Sequence, residues 1–401
     1  MTALLTLEAA QARLLALATL LPVERVDAES ALGRFLAEPL LARRTQPACD
    51  LSAMDGYAVA GDDLTGPWRV IGESAAGHPY VGTVGPGEAV RIATGAVLPA
   101  GAQAVIVQED LARNVDSLRL IGTAPHPADK HIRRAGLDFV NGDALVPTGA
   151  RFGPAHIALA LAAGHPHVAV RRLPRVVVID SGDELAADCE RCAPHQVPAS
   201  NGVMLAALLT SSVPCQVQRI GPVPDDLAAL AGALDDASDA DLVITSGGAS
   251  VGDHDLIRPA LERASAELQF WRVAIKPGKP LLIARRGHQV IAGLPGNPVA
   301  SHVTAFHFVL PLLRAMLGAH DCLPRCVPAR LAAPLAACGG RREFLRAQWD
   351  GNSVTTQAVQ DSSALASLAA SNVLIDRAAH APPAATGDEV QIYLLGNGGI
   401  I

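Results

Sequence analysis

The sequence predicts a multi-domain protein that combines α/β and all-β parts, and three observations support this class. First, 401 residues exceed what one hydrophobic core usually covers, so two to four domains of roughly 100–150 residues each are expected. Second, strand and helix patterns alternate between residues 175 and 317, which is typical of parallel strands with crossover helices. Third, short apolar segments punctuated by Gly and Pro lie on both sides of that stretch, which indicates β domains.

The N-terminal part contains two kinds of sequence pattern. Its first forty residues look helical, because apolar positions recur at helical spacing until Pro22, at Leu5, Ala9, Ala12, Ala16 and Leu20. Residues 48–134 consist of short apolar pieces between turns and are predicted as all-β. Helical patterning returns at 154–163, where Pro154 suits a first turn and Gly164 closes the helix.

The central part is predicted as a parallel sheet with crossover helices. Strands are expected at 175–179, 216–220, 242–245, 280–284 and 289–292, and helices at 202–209, 225–234, 256–264 and from about 299. After Pro324 and Pro328 the tail returns to strands and turns, at 343–349, 354–359, 372–375 and 389–394. A small β domain is therefore expected to close the chain.

Composition and charge exclude several classes of protein. A hydrophobic content of 50% with 18% charged residues indicates a well-buried globular protein. The net charge of −7 and the lack of long basic runs argue against nucleic acid as a partner. Glu8 and Arg13 interrupt the first apolar stretch, so no signal peptide is expected. The segment 303–317 contains His307 and Arg314, so no membrane span is expected either. We expect a cytoplasmic protein.

The seven cysteines predict no disulfide framework. They are odd in number and thinly scattered in a chain without an export signal, so reduced thiols are the default. Cys189 and Cys192 have C-x-x-C spacing, but no second pair lies at zinc-ribbon distance. We therefore interpret this pair as ordinary cysteines.

The stretch 242–256 predicts a phosphate site with a metal beside it. An apolar strand runs directly into Ser246, two glycines and Ala249, followed by Ser250 and Gly252. A loop with so little side-chain bulk lets backbone N–H groups close around an anion. Carboxylates follow at Asp253 and Asp255, and these could hold a divalent cation against that anion. Open α/β sheets bind their ligands at this carboxyl end.

Three further segments of the central part carry polar or conformationally special residues. Residues 181–184 and 293–298 both follow predicted strands, and in the second Asn297 is a plausible N-cap with Pro298 in the first turn. The turn 276–280 displays Lys276 and Lys279 between prolines. Lysines are compact point charges that suit phosphate or another oxyanion. Several such loops in one domain are a much stronger signal than one glycine-rich loop alone.

The motifs extend over essentially the whole chain. They comprise residues 52–59, 91–96, 132–138, 182–185, 221–226, 246–255, 276–280, 293–301 and 340–344. In order and register they resemble those of the MoeA family of molybdopterin molybdenumtransferases, which also includes the E domain of gephyrin. The resemblance runs from the first helix to about Leu394.

The resemblance implies a fold and an activity. Members of the family insert molybdate into adenylylated molybdopterin and release AMP, with Mg²⁺ assisting. They are homodimers whose active cleft lies between the α/β domain of one subunit and the β domain of its partner. A molybdopterin adenylyltransferase is the enzyme expected to hand over the substrate.

The resemblance and the patterns of helical and β-type segments together predict four domains. A discontinuous N-terminal helical domain comprises residues 1–48 and 138–172, and an inserted β domain comprises residues 49–137. An α/β molybdopterin-binding domain comprises residues 173–320, and a small C-terminal β-barrel domain comprises residues 321–401.

The family's functional residues map onto this sequence position by position. The candidate catalytic residues are Asp55, Thr94, Arg133, Asp138, Glu184, Asp225 and Asp255, of which Asp225 and Asp255 are also the candidate metal ligands. The candidate substrate-binding residues are Ser246, Gly247, Gly248, Ser250, Lys276, Lys279, Pro295, Gly296, Asn297, Arg341 and Arg346. Backbone donors of the 246–252 loop suit a pyrophosphate, whereas the lysines and arginines suit molybdate.

Simpler interpretations exist for several of these residues. Asp55 could hydrogen-bond a turn, and Thr94 could be an ordinary strand-end residue. Arg133 and Arg134 could be a solvated pair, although one of them is expected to reach the cleft. Glu184 could cap a following helix, and Asp226 is expected to be a helix N-terminal acid.

The chain also departs from the family pattern. Ala199 stands where an acidic residue is common, Asp180 where a serine is usual, and Gln103 and Asp361 are further departures. An inward-pointing Asp361 would disfavour a nearby anion. Two other functions therefore stay open beside the insertase: a non-catalytic molybdopterin carrier or scaffold, and a molybdopterin adenylyltransferase.

Overall fold

A computed structural model of the chain describes residues 4–247 and 256–396. Three six-stranded sheets dominate this part of the chain, joined by short two-stranded pairings. The candidate residues Gly248, Ser250 and Asp255 lie outside the described residues.

The N-terminal region begins with one helix, Leu7–Leu15. The side chain of Thr6 caps this helix by accepting a hydrogen bond from Ala9 N at 3.2 Å, and Leu7 and Leu14 face the core. The prediction of helix across the first forty residues is wrong beyond this point. Val23–Asp27 is a strand that pairs antiparallel with His167–Arg171. A partner about 140 residues away leaves no local signature, and tertiary pairing overrides the local pattern.

The two parts of this region are joined across the inserted segment. Besides the Val23–Asp27 pairing, Leu40–Leu41 pairs with Ala144–Val146. The helix Pro154–Ala162 starts at a proline, as predicted. The predicted discontinuous N-terminal region is therefore confirmed, with strands as well as helices in it.

The inserted segment forms a six-stranded sheet, as its texture predicted. The strand order is Ala104–Val107, Gly56–Val59, Glu88–Ile92, Trp68–Ser74, Ser117–Leu120 and Leu111–Asn114. Leu51–Ser52 and Ile132–Arg133 form a separate short antiparallel pair. Gly56 lies against the next strand so closely that a Cβ atom there would approach Ile106 O to 2.1 Å. This contact fixes the start of the strand directly after Asp55.

The central sheet is mixed rather than wholly parallel. Its strand order is Gln216–Val223, Arg175–Ser181, Leu242–Ser246, Gln289–Leu294, Leu282–Arg286 and Glu267–Trp271. The first four strands are parallel, as predicted, but Leu282–Arg286 runs antiparallel to both of its neighbours. Pairing of Arg286 with Gln289 leaves a two-residue turn. Such a turn joins only antiparallel strands.

Helices cover both faces of this sheet. They are Asn201–Ser212, Leu227–Asp236, Ile257–Arg263 and a long helical segment formed by Pro298–Thr304, Ala305–Val309 and Leu310–Met316, of which the middle turn is π-helical. The long segment is apolar and long enough to cross a membrane, but 89% of it is buried inside the protein. It packs with the sheet and the first helix in the largest hydrophobic core. It is therefore a core helix.

The C-terminal region is a closed β-barrel. Its strands are Cys326–Leu331, Arg342–Trp349, Ser353–Thr356, Val373–Arg377 and Glu389–Leu394, with the short helix Leu365–Ala369 outside them. Closure comes from the pairing of Arg342–Trp349 with Val373–Arg377. Ile275–Lys276 from the central domain adds to the same sheet beside Arg342 and Glu343. The barrel is thereby fixed beside the carboxyl end of the central sheet.

Candidate functional site

A cavity of about 670 Å³ lies at the carboxyl end of the central sheet. This is the edge where the sequence predicted the site. The walls contain Asp180, Ser181, Gly182, Glu184, Leu185, Val197, Pro198, Ala199, Ser200, Asn201, Asp225, Ser246, Gly247, Pro280, Pro295, Gly296, Asn297, Pro298, Ser363 and Leu365. The predicted residues Glu184, Asp225, Ser246, Gly247, Pro295, Gly296 and Asn297 are therefore brought together.

A hydrogen-bonded layer forms the floor of this cavity. Asn201 Nδ2 donates to Ser246 Oγ at 3.0 Å and to Gly296 O at 2.6 Å, so it joins two of the predicted loops. Gly202 N donates to Asp180 Oδ2 at 3.1 Å. Burial raises the pKa of Asp180 to about 6, against the lowering effect of the Gly202 N–H and of Arg219.

The start of the predicted phosphate loop tolerates no side chain. Gly247 has φ of +107°, and a Cβ atom there would lie 2.3 Å from Ser181 O. Only glycine adopts this conformation without strain. The backbone at Gly247 can therefore approach a ligand closely, as the sequence predicted.

Two carboxylates belong to the wall of the large cavity. Asp225 is exposed, and its backbone N–H donates to Asp183 Oδ1 at 3.0 Å. Glu184 caps no helix, because the two-residue strand Leu185–Ala186 follows it. In contrast, Asp226 is the N-cap of Leu227–Asp236 and accepts from Ala229 N at 2.9 Å, as predicted. Among residues 4–247 and 256–396, no three His, Cys, Asp or Glu side chains converge on a metal position.

A second cavity of about 340 Å³ adjoins the first and is rich in cations. Lys276, Lys279 and Arg341 lie on its walls, and Pro280, Pro295 and Asn297 belong to both cavities. Lys276 Nζ lies 3.2 Å from Glu343 Oε1, so its charge is partly balanced. Arg341 donates to Ile275 O at 3.4 Å. Fixed positive charge of this kind suits a small oxyanion.

A barrel loop at residues 360–363 completes the second cavity. Asn297 Nδ2 donates to Ser362 Oγ at 2.8 Å, so Asn297 occupies the predicted N-cap position while its side chain reaches the barrel. Asp361 Oδ1 accepts from Ser363 Oγ at 2.6 Å and from Ser363 N at 2.8 Å, and these bonds lower the pKa of Asp361. The Asp361 carboxylate is thus ionised, and it lies on the wall of a cavity that three cationic side chains also line.

Arg346 lies behind this loop. It is fully buried and donates to Val359 O and Asp361 O, both at 3.0 Å, and to Ser367 Oγ at 3.0 Å. The structure therefore places Arg346 as a support of the loop, outside the walls of both cavities, where the sequence had suggested a direct oxyanion contact.

Asp55 and Thr94 form a pair on the inserted β sheet. Asp55 Oδ1 accepts from Thr94 N at 2.7 Å and from Thr94 Oγ1 at 2.8 Å. These bonds, the backbone one first, hold the pKa of Asp55 below its usual value. The pairing of Gly56 with Ile92 brings the two residues to the same end of the sheet. Both are exposed.

Arg133 and Asp138 also lie on the surface. Arg134 is held by Asp50 at 2.7 Å and Asp129 at 2.9 Å, whereas Arg133 has no ion pair within the described part of the chain. Of the two arginines, Arg133 is therefore the one available to a ligand. Neither described cavity has Asp55, Thr94, Arg133 or Asp138 on its walls.

The departures from the family pattern occupy different places. Ala199 lies on the wall of the large cavity, as does Asp180. Gln103 accepts from Gly61 N at 3.1 Å within the inserted segment.

The cysteines with C-x-x-C spacing, Cys189 and Cys192, are both free thiols.

Sequence reasoning missed several wall residues. Gln360, Ser363 and Leu365 were not predicted, because their segment reaches the site only through the barrel fold. Glu343 stood in a recognised motif, but its ion pair with Lys276 depends on a strand pairing between two domains.

Comparisons with known proteins agree along the whole chain. Residues 5–164 match the MoeA N-terminal region (domain I and II), residues 177–315 match a probable molybdopterin binding domain, and residues 328–395 match the MoeA C-terminal region (domain IV). The chain is 37% identical over 298 residues to a molybdopterin molybdenumtransferase of Haemophilus influenzae, covering 74% of this chain and 73% of the relative. It is 34% identical over 383 residues to molybdopterin molybdenumtransferase 2 of Mycobacterium tuberculosis, covering 92% and 94%.

Solved structures show the same architecture over nearly the full length. A crystal structure of the molybdopterin biosynthesis MoeA protein from Pyrococcus horikosii superimposes with a TM-score of 0.82 at 29% identity and covers 98% of this chain and 99% of that one. A MoeA structure from Pyrococcus horikoshii OT3 gives a TM-score of 0.85 at 26% identity, with coverage of 98% and 100%. The fold, the three matched regions and the identity to curated relatives agree, and the chain therefore belongs to the MoeA family of molybdopterin molybdenumtransferases and is a transferase.

Proposed function

We propose that this protein acts in molybdenum cofactor biosynthesis by inserting molybdate into adenylylated molybdopterin, with release of AMP. The observation that carries the proposal is the junction of two cavities of different chemistry. The larger cavity has a polar floor and contains Gly247, the glycine at which the predicted phosphate loop begins. The smaller cavity is lined by three cationic side chains. Pro280, Pro295 and Asn297 belong to both. A large organic substrate and a small oxyanion would therefore meet across this shared wall.

The smaller cavity suits molybdate. Molybdate is a tetrahedral dianion, and Lys279 and Arg341 supply positive charge without a carboxylate partner among the described residues, whereas Lys276 shares its charge with Glu343. The hydroxyl of Ser362 lies on the same wall and is fixed by Asn297 at 2.8 Å. Charge-assisted hydrogen bonds of this kind are the strong ones.

The larger cavity suits the adenylylated substrate and a divalent cation. Asp225 and Glu184 present carboxylates, the hard oxygen ligands that Mg²⁺ prefers, and Mg²⁺ usually takes one or two carboxylates together with substrate phosphates. When bound, Mg²⁺ would stabilise the negative charge that develops on the phosphate oxygens. Ser246 and Gly247 would place backbone and hydroxyl donors at the phosphate group, so that these residues mainly position and stabilise charge. Asp225 and Asp255 are the two proposed metal ligands, and Asp255 lies outside the described residues.

The four residues of the inserted and N-terminal segments would act on a partner subunit. We propose a homodimer in which Asp55, Thr94, Arg133 and Asp138 of one subunit face the two cavities of the other. Their exposure and their position away from both cavities of their own chain support this arrangement. The corresponding domains would be 1–48 with 138–172, 49–137, 173–320 and 321–401. Substrate would arrive from a molybdopterin adenylyltransferase in the cytoplasm.

The test is release of AMP from adenylylated molybdopterin, measured with and without molybdate and Mg²⁺. We expect release to depend on both, and Lys279→Gln to require about tenfold or more molybdate, because a hydrogen bond to a charged group is worth about 1.5–3 kcal/mol. Lys130→Gln is the matched control, since this exposed lysine lies on the wall of neither cavity. Tight binding without AMP release under any oxyanion would favour a carrier, and consumption of Mg²⁺-ATP would favour an adenylyltransferase.

A further inference from the structure

Asp180 is a buried carboxyl group on the wall of the large cavity that the proposed chemistry does not use. It ends the strand Arg175–Ser181, is 6% exposed, and lies beside the start of the helix Asn201–Ser212. Its Oδ2 accepts from Gly202 N at 3.1 Å. Its Oδ1 has no hydrogen-bond partner among the described residues.

A purely structural role explains half of this arrangement. Ser200, the N-cap residue of the helix, makes no side-chain cap bond, and Asp180 Oδ2 satisfies one of the free N–H groups instead. One oxygen is enough for that role. A buried acceptor that stays unpaired costs free energy, so an acceptor with no partner among residues 4–247 and 256–396 calls for a partner that arrives with a ligand.

The surrounding groups define which ligand atom fits. Arg219, from the neighbouring strand, acts on Asp180 through its charge, and Glu184 and Asp225 lie on the walls of the same cavity. Three residues with carboxyl groups therefore line this space, whereas the cationic residues Lys279 and Arg341 line the adjoining cavity. A carboxylate accepts hydrogen bonds and repels anions. The position beside Asp180 thus suits an N–H donor and disfavours a phosphate or an oxyanion.

From this geometry we infer that Asp180 is a positioning residue that accepts a hydrogen bond from the N–H-bearing edge of a bound heterocycle. Resting on the proposed function, this assigns the amino-pyrimidinone edge of the pterin ring to the floor beside Asp180 and Asn201. The end of the substrate that receives molybdate then points towards Lys279 and Arg341. Asp180 thereby sets the direction in which the substrate lies across the two cavities.

The test is equilibrium binding of a simple pterin, 2-amino-4-oxopteridine, to the full-length protein, followed by ring fluorescence. Asp180→Asn keeps the size of the side chain and an oxygen for Gly202 N–H, but it places an amide donor where the ligand needs an acceptor. We expect pterin affinity to fall about 10- to 100-fold, as for loss of a hydrogen bond to a charged group. We also expect wild-type affinity to weaken from about pH 7.5 to about pH 5, as the carboxylate takes up a proton, and this pH dependence to vanish in the variant.

Asp226→Asn is the matched control. Asp226 caps the neighbouring helix through Ala229 N at 2.9 Å but is not on the cavity wall, so its variant should bind pterin like the wild type. Unchanged pterin affinity and pH profile in Asp180→Asn would overturn the inference and leave Asp180 as a helix cap. The proposed function fails separately: a wild type that binds pterin through Asp180 but releases no AMP contradicts the insertase and not the positioning role.

Discussion

At the scale of single residues, the partners of a charged side chain decide what it can bind. Three cations surround the smaller cavity, but Glu343 Oε1 lies 3.2 Å from Lys276 Nζ, and the Glu343 side chain is 16% exposed. Lys279 has no such partner within the described ranges. An incoming oxyanion would therefore compete with Glu343 for Lys276, while Lys279 is free to bind it.

Replacement of Glu343 by glutamine should strengthen oxyanion binding. The change removes the carboxylate that neutralises Lys276, and exposed ion pairs are worth up to about 1 kcal/mol, so we expect molybdate to bind about two- to fivefold more tightly by calorimetry. Glu389→Gln, an exposed change on another barrel strand, is the control. Weaker binding in Glu343→Gln would contradict the prediction and show that Glu343 holds Lys276 in its binding position.

Asp180 should make the protein less stable at high pH. Its pKa is raised from 3.8 to about 6 by burial, so the folded protein holds a proton that the unfolded chain has lost. As far as Asp180 is concerned, the free energy of unfolding is therefore highest below about pH 4. It falls between about pH 4 and 6 and stays lower at higher pH. We expect Asp180→Asn to raise the free energy of unfolding by about 1–2 kcal/mol at pH 8, once solvent screening is allowed for, and by nothing at about pH 4. Denaturant titrations at both pH values test this, and an equal gain at both would contradict it.

At the scale of elements, the long segment Pro298–Met316 connects the site to the core. It starts at the shared wall of the two cavities and contains the π-helical turn Ala305–Val309. His307 in that turn is fully buried and stacks on Phe344 of the barrel, with ring centroids 4.1 Å apart. Neither ring nitrogen has a hydrogen-bond partner among the described residues. Burial lowers the pKa of His307 from 6.5 to about 3.

His307 should therefore contribute to acid sensitivity. Because the folded state keeps the ring neutral while the unfolded chain takes up a proton below pH 6.5, stability is lost as the pH falls from about 6.5 towards 3. His307→Phe keeps the stacked ring and loses no side-chain hydrogen bond that the described part of the chain contains. We expect it to match the wild type within about 1 kcal/mol at pH 8 and to be about 2 kcal/mol more stable at about pH 5. Denaturant unfolding at the two pH values measures this, and a loss of stability at both would mean that phenylalanine overpacks the site.

The sequence predicted elements with strong local patterns and missed those that depend on distant partners. The strands around residues 175, 242 and 289 and the helices beginning near residues 201, 227 and 298 were predicted within a few residues, since each has its own apolar period. The antiparallel direction of Leu282–Arg286 follows from a short turn and was missed.

The same division holds for the site. The loop glycines and the lysines could be predicted from residue type and spacing, because backbone access and fixed charge are local properties. The burial of Arg346 could not, since a guanidinium that binds a ligand and one that supports a loop look alike in a sequence. The Glu343 pair depends on the barrel closing beside the central sheet.

At the scale of the whole molecule, the barrel, the central domain and the N-terminal helix meet at one point. Arg342 lies next to Ile275 in the joint sheet, donates to both oxygens of Asp376 in the barrel, and donates to Glu8 in the first helix. These contacts raise the pKa of Arg342, which stays charged. The second cavity takes Lys279 from the central domain and Arg341 from the barrel, so its shape depends on this junction. Among the described residues, none from the inserted β sheet lies on the wall of either cavity in the same chain.

Subunit complementation should reveal whether the active site is shared. Asp55 and Lys279 belong to different regions of the chain, and Asp55→Ala and Lys279→Ala should each strongly reduce AMP release at limiting molybdate in their own homodimers. If one site takes Asp55 from one subunit and Lys279 from the other, each mixed dimer has one intact site and one doubly defective site. Equal mixing with full exchange gives half mixed dimers, so we expect about a quarter of wild-type activity to return. A mixture of Asp225→Ala and Lys279→Ala is the control. Asp225 and Lys279 lie on adjoining cavities of the same chain, so every site in a mixed dimer lacks one of them and no activity should return. No recovery in the first mixture, with exchange verified by native mass spectrometry, would show that Asp55 acts within its own chain or outside the site.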